Sequence, residues 1–192
     1  LQTTGNTEGA TTSDLSNKLP VYDGNQDYVL WLGCFAKYAL DPKYPESVLN
    51  FAKILDAGSI SYGILAKEKC TGEPANKLGD KLTYNMLMKD NLETMKNVKK
   101  VITMCPHCSV NLGIEYAKYQ KIDYEVFHHT QIIEELIKNN KISVNKNNHE
   151  KLTFHDPCNL SRTMNEVNAP RTAIHAASTN FKELEENGSN TL

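Results

Sequence analysis

Cys105 and Cys108 enclose only Pro106 and His107, in the stretch "ITMCPHCSV" that begins at Ile102. Two cysteines so spaced can act as a redox dithiol, supply half of a metal site, or sit as inert thiols in a core. Cys34, Cys70 and Cys158 are the other three cysteines of the chain. Five is an odd number, and the N-terminal residues lack the charged and apolar regions of a signal peptide, so structural disulfides are not expected. Thiols kept in a reducing compartment are core residues, ligands or catalysts, and their positions should separate these roles.

The elements that must position them follow from the apolar pattern. "YVLWLG" (28 to 33) reads as a strand, and "YPESVLNFAKILDAG" (44 to 58) as a helix with Val48, Phe51 and Leu55 on one face and Gly58 closing it. "SYGILAK" (61 to 67) reads as a second strand. A long helix is expected over 76 to 97, with Leu82, Met86, Leu87 and Met95 as its buried stripe. "KKVITM" (99 to 104) and "YEVFHH" (124 to 129) read as strands around a helix from about Ser109 to Tyr119, and a further helix covers 131 to 139. "KLTFHD" (151 to 156) is expected to open a second unit as a strand, followed by a helix near 170 to 178 and a short strand at 181 to 185. Such alternation predicts an α/β fold, a mainly parallel sheet with helices on both faces. Residues 1 to 27, rich in Thr, Gly, Asn and Ser, read as a linker or disordered arm. The expected division is 28–149 for a first module and 150–192 for the beginning of a second, similar one.

On that map Cys34, Cys70, Cys105 and Cys158 each lie just past an expected strand. The carboxyl ends of parallel strands share one edge, where loops meet helix N-termini and ligands bind. Plain core cysteines would instead be scattered through strands and helix stripes.

The series "GC" at Cys34, "CTGEP" at Cys70, "CPHC" at Cys105 and Cys108, and "HDPC" at Cys158 resembles the cysteine-rich CCG domain family. That family includes the heterodisulfide reductase cysteine-rich subunit and the iron-sulfur subunits of glycolate and lactate oxidoreductases. The resemblance implies two copies of a motif made of one cysteine, a CC pair followed by Gly, and a CxxC, each copy holding an iron-sulfur cluster. It assigns Cys34, Cys70, Cys105 and Cys108 to the first copy as ligands and Cys158 to the opening of a second. The sequence given stops where the rest of that second copy would be expected. The chain departs from the family at Thr71, where the second cysteine of the CC pair would stand. Four thiolates suit one [4Fe-4S] cluster or one tetrahedral zinc, whereas the noncubane centres of the heterodisulfide reductases use a fuller set.

Helix N-termini after Cys108 and Gly72 are expected to stabilise thiolate and cluster sulfur, and Gly33 and Gly72 to bring backbone close to it. His128 and His129, at the end of a strand on the same edge, are candidates for hydrogen bonds to the centre, as is Thr71. His107 is expected to face solvent, His155 and Asp156 to orient the Cys158 loop, and His149 and His175 to lie at the surface.

Composition bounds the function. A net charge of -2 and the lack of any lysine or arginine run argue against nucleic acid as partner. No apolar stretch approaches the roughly 20 residues of a membrane span. A cytoplasmic location is expected, with membrane association through other parts or partners left open. The resemblance implies an electron-transfer domain working between a flavoprotein or ferredoxin-like donor and a disulfide, quinone or other acceptor. Two other readings of the thiols stand beside it: a thioredoxin-like dithiol acting through "CPHC", and a structural zinc module serving as a docking surface.

Overall fold

The computed structural model describes residues 14–36, 43–147 and 149–190. They form two compact units, divided between His128 and His129.

The first unit is built on a four-stranded, wholly parallel sheet of order β2-β1-β3-β4, with β1 at Tyr28–Trp31, β2 at Tyr62–Gly63, β3 at Lys100–Thr103 and β4 at Glu125–His128. Val29, Trp31 and Val101 turn one way and pack with Tyr84, Met88, Met95, Leu112 and Tyr116. Leu30 and Ile102, which strand alternation sends to the opposite face, are equally buried, so both faces of the sheet are covered. Helices connect the strands: α1 (Gly33–Ala36) and α2 (Lys43–Ala57) after β1, α3 (Glu73–Lys77) and α4 (Lys81–Thr94) after β2, and α5 (Pro106–Val110) after β3. This is the α/β architecture that the alternation predicts.

Several boundaries differ, each for a local reason. The helix expected over 76 to 97 is broken in two. Gly79 takes φ 83°, and Asp80 caps α4 by accepting the Thr83 N–H at 3.0 Å. The buried stripe of α4 is Thr83, Tyr84, Leu87, Met88 and Asn91, whereas Leu82 and Met86 are 81% and 39% exposed. A stripe counted from Leu and Met alone overlooks the polar residues that this helix turns inward. At the end of α2 the left-handed residue is Ser59 (φ 55°), not Gly58. Ser59 N–H donates to Asp56 and Ile60 N–H to Leu55, which closes the helix as a Schellman turn. The expected strand at 61 to 67 is only two residues long, extended by a bridge between Ile64 and Val21. Val21 lies in the stretch read as a linker arm. Within that stretch Leu15 and Leu19 are buried, and its first 13 residues lie outside those described.

The predicted helix after β3 begins earlier, inside the CxxC. It runs on from α5 as a π-helical turn, Asn111–Glu115, and a 3-10 turn, Tyr116–Lys118.

The second unit holds α6 (His129–Lys138) and α7 (Asn168–Ala177), which pack together and are tied by a Thr172 hydroxyl donating to Glu134 at 2.7 Å. The strands expected at 151 to 156 and 181 to 185 reduce to one bridge between Leu152 and Phe181. Just beyond Leu152 the backbone is fixed by a side chain rather than by a sheet. Buried Asp156 accepts two bonds from Arg171 and one from the Gly188 N–H, all at 2.7–2.8 Å. Cys158 therefore follows a loop and not a strand.

The inward and outward faces of α4 can be separated by mutation. Leu87→Ala should lower the unfolding free energy by about 3 kcal/mol through the cavity it leaves, and Leu82→Ala should change it by less than about 0.5 kcal/mol, both read from urea denaturation.

Candidate functional site

In the order β2-β1-β3-β4 the chain leaves β1 toward β2 and later returns to the other side of β1 to form β3, so the sheet reverses direction between β1 and β3. Above such a reversal the flanking loops part and leave a crevice at the carboxyl edge. The cysteines of the first unit lie on the loops leaving these strands. Cys34 is in α1 after β1, Cys70 is in the loop after β2, and Cys105 and Cys108 are at the start of α5 after β3.

The thiols meet in pairs. Cys34 and Cys70 share a hydrogen bond, as do Cys105 and Cys108. Cys70 also feels the charge of Cys105, and Cys108 that of Cys34, so the four close a ring of neighbours. Cys105 is held well below the ordinary thiol range by the Cys108 hydrogen bond and, against the opposing effect of burial, by His107. The same bond raises Cys108, together with its burial and the nearby charges of Cys105, Cys34 and Glu68. Cys70 is raised by its bond with Cys34 and by burial, opposed by the Gly72 N–H, which donates to its Sγ at 3.4 Å. Gly72 and Gly33 have φ 83° and 70°, and a Cβ on Gly72 would lie 3.0 Å from the Tyr84 ring. Backbone at these two points takes a course that other residues would strain.

A buried polar frame holds the loops. Glu68, 6% exposed, accepts the N–H groups of Leu32 and Gly33 at 2.8 Å each, which ties the Cys70 loop to the start of the Cys34 turn. Asn91 donates to the Cys70 carbonyl at 2.9 Å and accepts the Lys69 N–H at 3.3 Å. Tyr116 donates to the Thr71 carbonyl at 2.9 Å, Asn111 to the Thr71 hydroxyl at 3.2 Å, and Tyr84 to Asn111 at 3.3 Å. On β3, Thr103 accepts the Cys105 N–H at 3.3 Å. Sequence reading missed Glu68, Asn91, Asn111 and Tyr116. One signal was available: an acid two residues before a cysteine in "AKEKC", with no apolar pattern to explain its burial.

The other expected residues fall as follows. Thr71 is buried and hydrogen-bonded beside Cys70. His128 is buried at the end of β4 in register with Thr103, and His129 opens α6 in the second unit. The helix nearest the CxxC starts at Pro106, so its N-terminus follows Cys105 rather than Cys108. His107 is exposed and hydrogen-bonds Cys105, while His149, His155 and His175 are exposed. Cys158 is exposed in the second unit, where Asp156 anchors its loop.

If Glu68 is the tie between the two loops, Glu68→Gln replaces a charged double acceptor with a single carbonyl oxygen facing two N–H groups. The unfolding free energy should fall by about 2 kcal/mol in urea titration, with no change for the exposed Glu125→Gln.

Residues 28–113 match the profile of the cysteine-rich domain called CCG. The chain is 33% identical over 175 residues to the EtfAB:quinone oxidoreductase of Syntrophomonas wolfei, an overlap of 90% of this chain and 24% of that protein. It is 35% identical over 153 residues to the probable iron-sulfur-binding oxidoreductase FadF of Bacillus subtilis, covering 78% of this chain and 21% of the relative. With one of the polypeptides of the dihydromethanophenazine:CoB–CoM heterodisulfide reductase of Methanosarcina barkeri it shares 29% identity over 170 residues, 83% of this chain and 40% of that polypeptide. The chain thus spans less than half the length of each of these relatives. No solved structure matches it significantly. The cysteines of the first copy all fall inside the matched segment, and through residues 28–113 the chain belongs to the CCG family of cysteine-rich domains.

Proposed function

We propose that this chain is the cysteine-rich part of an iron-sulfur oxidoreductase related to heterodisulfide reductase, and that Cys34, Cys70, Cys105 and Cys108 hold a [4Fe-4S] cluster that passes electrons. The observation that carries the reading is the ring of four thiols gathered from three strand exits at the sheet reversal. The donor set fits such a group. Four soft sulfur ligands are the number a cubane takes. Four thiolates are equally the donor number of a tetrahedral zinc site, which counting the bound metal separates from a cluster. Among the described residues no group of three or more His, Cys, Asp or Glu is arranged to hold one metal ion. All five cysteines are free thiols, as a reducing, cytoplasmic setting would keep them.

The chain's own residues have separable tasks. Gly72 N–H already donates to the Cys70 sulfur, and the Cys108 backbone N–H at the start of α5 helps to hold the Cys105 thiol down. Burial of Cys70 and Cys108 keeps water from their sulfurs, whereas Cys34 and Cys105 are partly exposed and offer the side from which a partner would approach. A bound cluster would supply a centre that takes up and returns one electron. Thr71 supplies no fifth thiolate, and its hydroxyl is engaged by Asn111, so disulfide cleavage is not assigned to this site. A flavoprotein or ferredoxin-like donor and a disulfide or quinone acceptor complete the proposal. No helix among the described residues is long and apolar enough to cross a membrane.

Anaerobic reconstitution of the chain with iron and sulfide, followed by counting of iron, sulfide and zinc, tests the reading. About four iron and four sulfide per chain are expected. Cys70→Ser should abolish iron binding, because a hydroxyl is a harder and far less acidic ligand, and Thr71→Ala should retain it. A chain that takes up zinc and never iron, or one that reduces a disulfide without metal through Cys105 and Cys108, would overturn it.

A further inference from the structure

The last rung of the sheet below the cysteine loops is made by Trp31, Thr103 and His128, which are Cα partners across β1, β3 and β4. Residues in register on parallel strands project to the same face, so these three side chains share one side of the sheet. It is the side on which Cys108 is buried and against which Cys105 packs, both in one apolar cluster with Trp31. Thr103 shows how close this rung comes to the site, since its hydroxyl accepts the Cys105 N–H.

Trp31 is the one tryptophan of the chain and is 0% exposed, yet its indole Nε1–H has no hydrogen-bond partner. A tryptophan placed only to fill an apolar core is usually turned so that this donor reaches an acceptor or the surface. Its apolar neighbours on the same face, Val29 and Val101, offer no acceptor side chain. The reversal of the sheet lies between β1 and β3, which bear Trp31 and Thr103. The unused donor therefore lies in the same apolar cluster as Cys105 and Cys108, at the end of the two strands from which the Cys34 and Cys105 loops leave.

We infer that the Trp31 indole N–H donates a hydrogen bond to a sulfur of the iron-sulfur centre, thiolate or inorganic sulfide, and so sets its reduction potential. The inference rests on the proposed cluster and adds a positioning residue to it. A donor to cluster sulfur stabilises the more negative, reduced state, so it raises the potential, and its loss lowers it.

The test uses the full chain, reconstituted anaerobically, with iron counted and the midpoint potential followed by EPR-monitored titration. Because Trp31 is the sole tryptophan, biosynthetic replacement by β-(3-benzothienyl)alanine exchanges only the N–H for a sulfur atom in a ring of nearly the same shape. The analogue-bearing chain and Trp31→Phe should both keep wild-type iron content and shift to a lower midpoint potential. The near-isosteric analogue keeps the comparison valid should the phenylalanine variant fold poorly. An unchanged midpoint in the analogue-bearing chain, at full iron content, would overturn the role of Trp31 and leave the cluster reading intact. A wild-type chain that takes up no iron would overturn both.

Discussion

The Glu68 carboxylate is the constraint on which the site depends. It spans from the loop after β2 to the N–H groups of Leu32 and Gly33, the last backbone before Cys34, and thereby fixes the distance between two loops that share no sheet hydrogen bonds at that level. Two charge-assisted bonds of 2.8 Å to main chain are strong enough to hold a buried acid, because they offset much of the cost of removing it from water. They also place a fixed negative charge close enough to Cys108 to raise its pKa. Four thiolates beside that carboxylate would crowd negative charge into a half-buried corner of low dielectric, where Coulomb repulsion is weakly screened. His107, favoured in its protonated form by Cys105, offsets one of them. The remaining imbalance is the kind that thiolate sites resolve by binding cations, and it accounts physically for one thiol being raised in each hydrogen-bonded pair, Cys70 and Cys108.

Behind the thiols, the frame of Asn91, Asn111, Tyr84 and Tyr116 converts helix packing into loop position. Each contributes a polar group from a helical segment that also buries apolar residues, and each is bonded to the Cys70 or Thr71 residue or to a neighbour in the frame. Burial pushes the phenols of Tyr84 and Tyr116 up, which favours their protonated, donating form. A loop held at its carbonyls and at a threonine hydroxyl has little freedom to rearrange, which suits a centre whose ligands must not move as charge comes and goes.

The cysteine positions could be read in the sequence because each follows a short, strongly apolar segment, and a parallel sheet brings segment ends to one edge whatever lies between them. The frame could not be read, because an inward Asn or Tyr differs from an outward one only in what it meets in space. Leu82 and Met86 show the converse. Their hydrophobicity suggested burial, but the cap at Asp80 rotates α4 so that Tyr84, Leu87 and Asn91 face the sheet. "KLTFHD" alternates like a strand, yet only Leu152 finds a β partner, since Asp156 is committed to Arg171.

That commitment parallels the first unit. Glu68 and Asp156 both stand two residues before a cysteine, both are buried, and both accept backbone N–H from a distant segment. They differ in how their charge is met. Asp156 lies in a bidentate pair with Arg171, whose other side grips Glu183, and its carboxyl is held below the usual range chiefly by that guanidinium. Glu68 accepts two main-chain N–H groups, which fix its geometry. The Cys158 loop is therefore tied to one guanidinium that two carboxylates share, whereas in the first unit the Glu68 charge reaches Cys108. An acid at the same offset from a cysteine anchors a loop in both units, by two main-chain N–H groups at Glu68 and by a guanidinium and one N–H at Asp156.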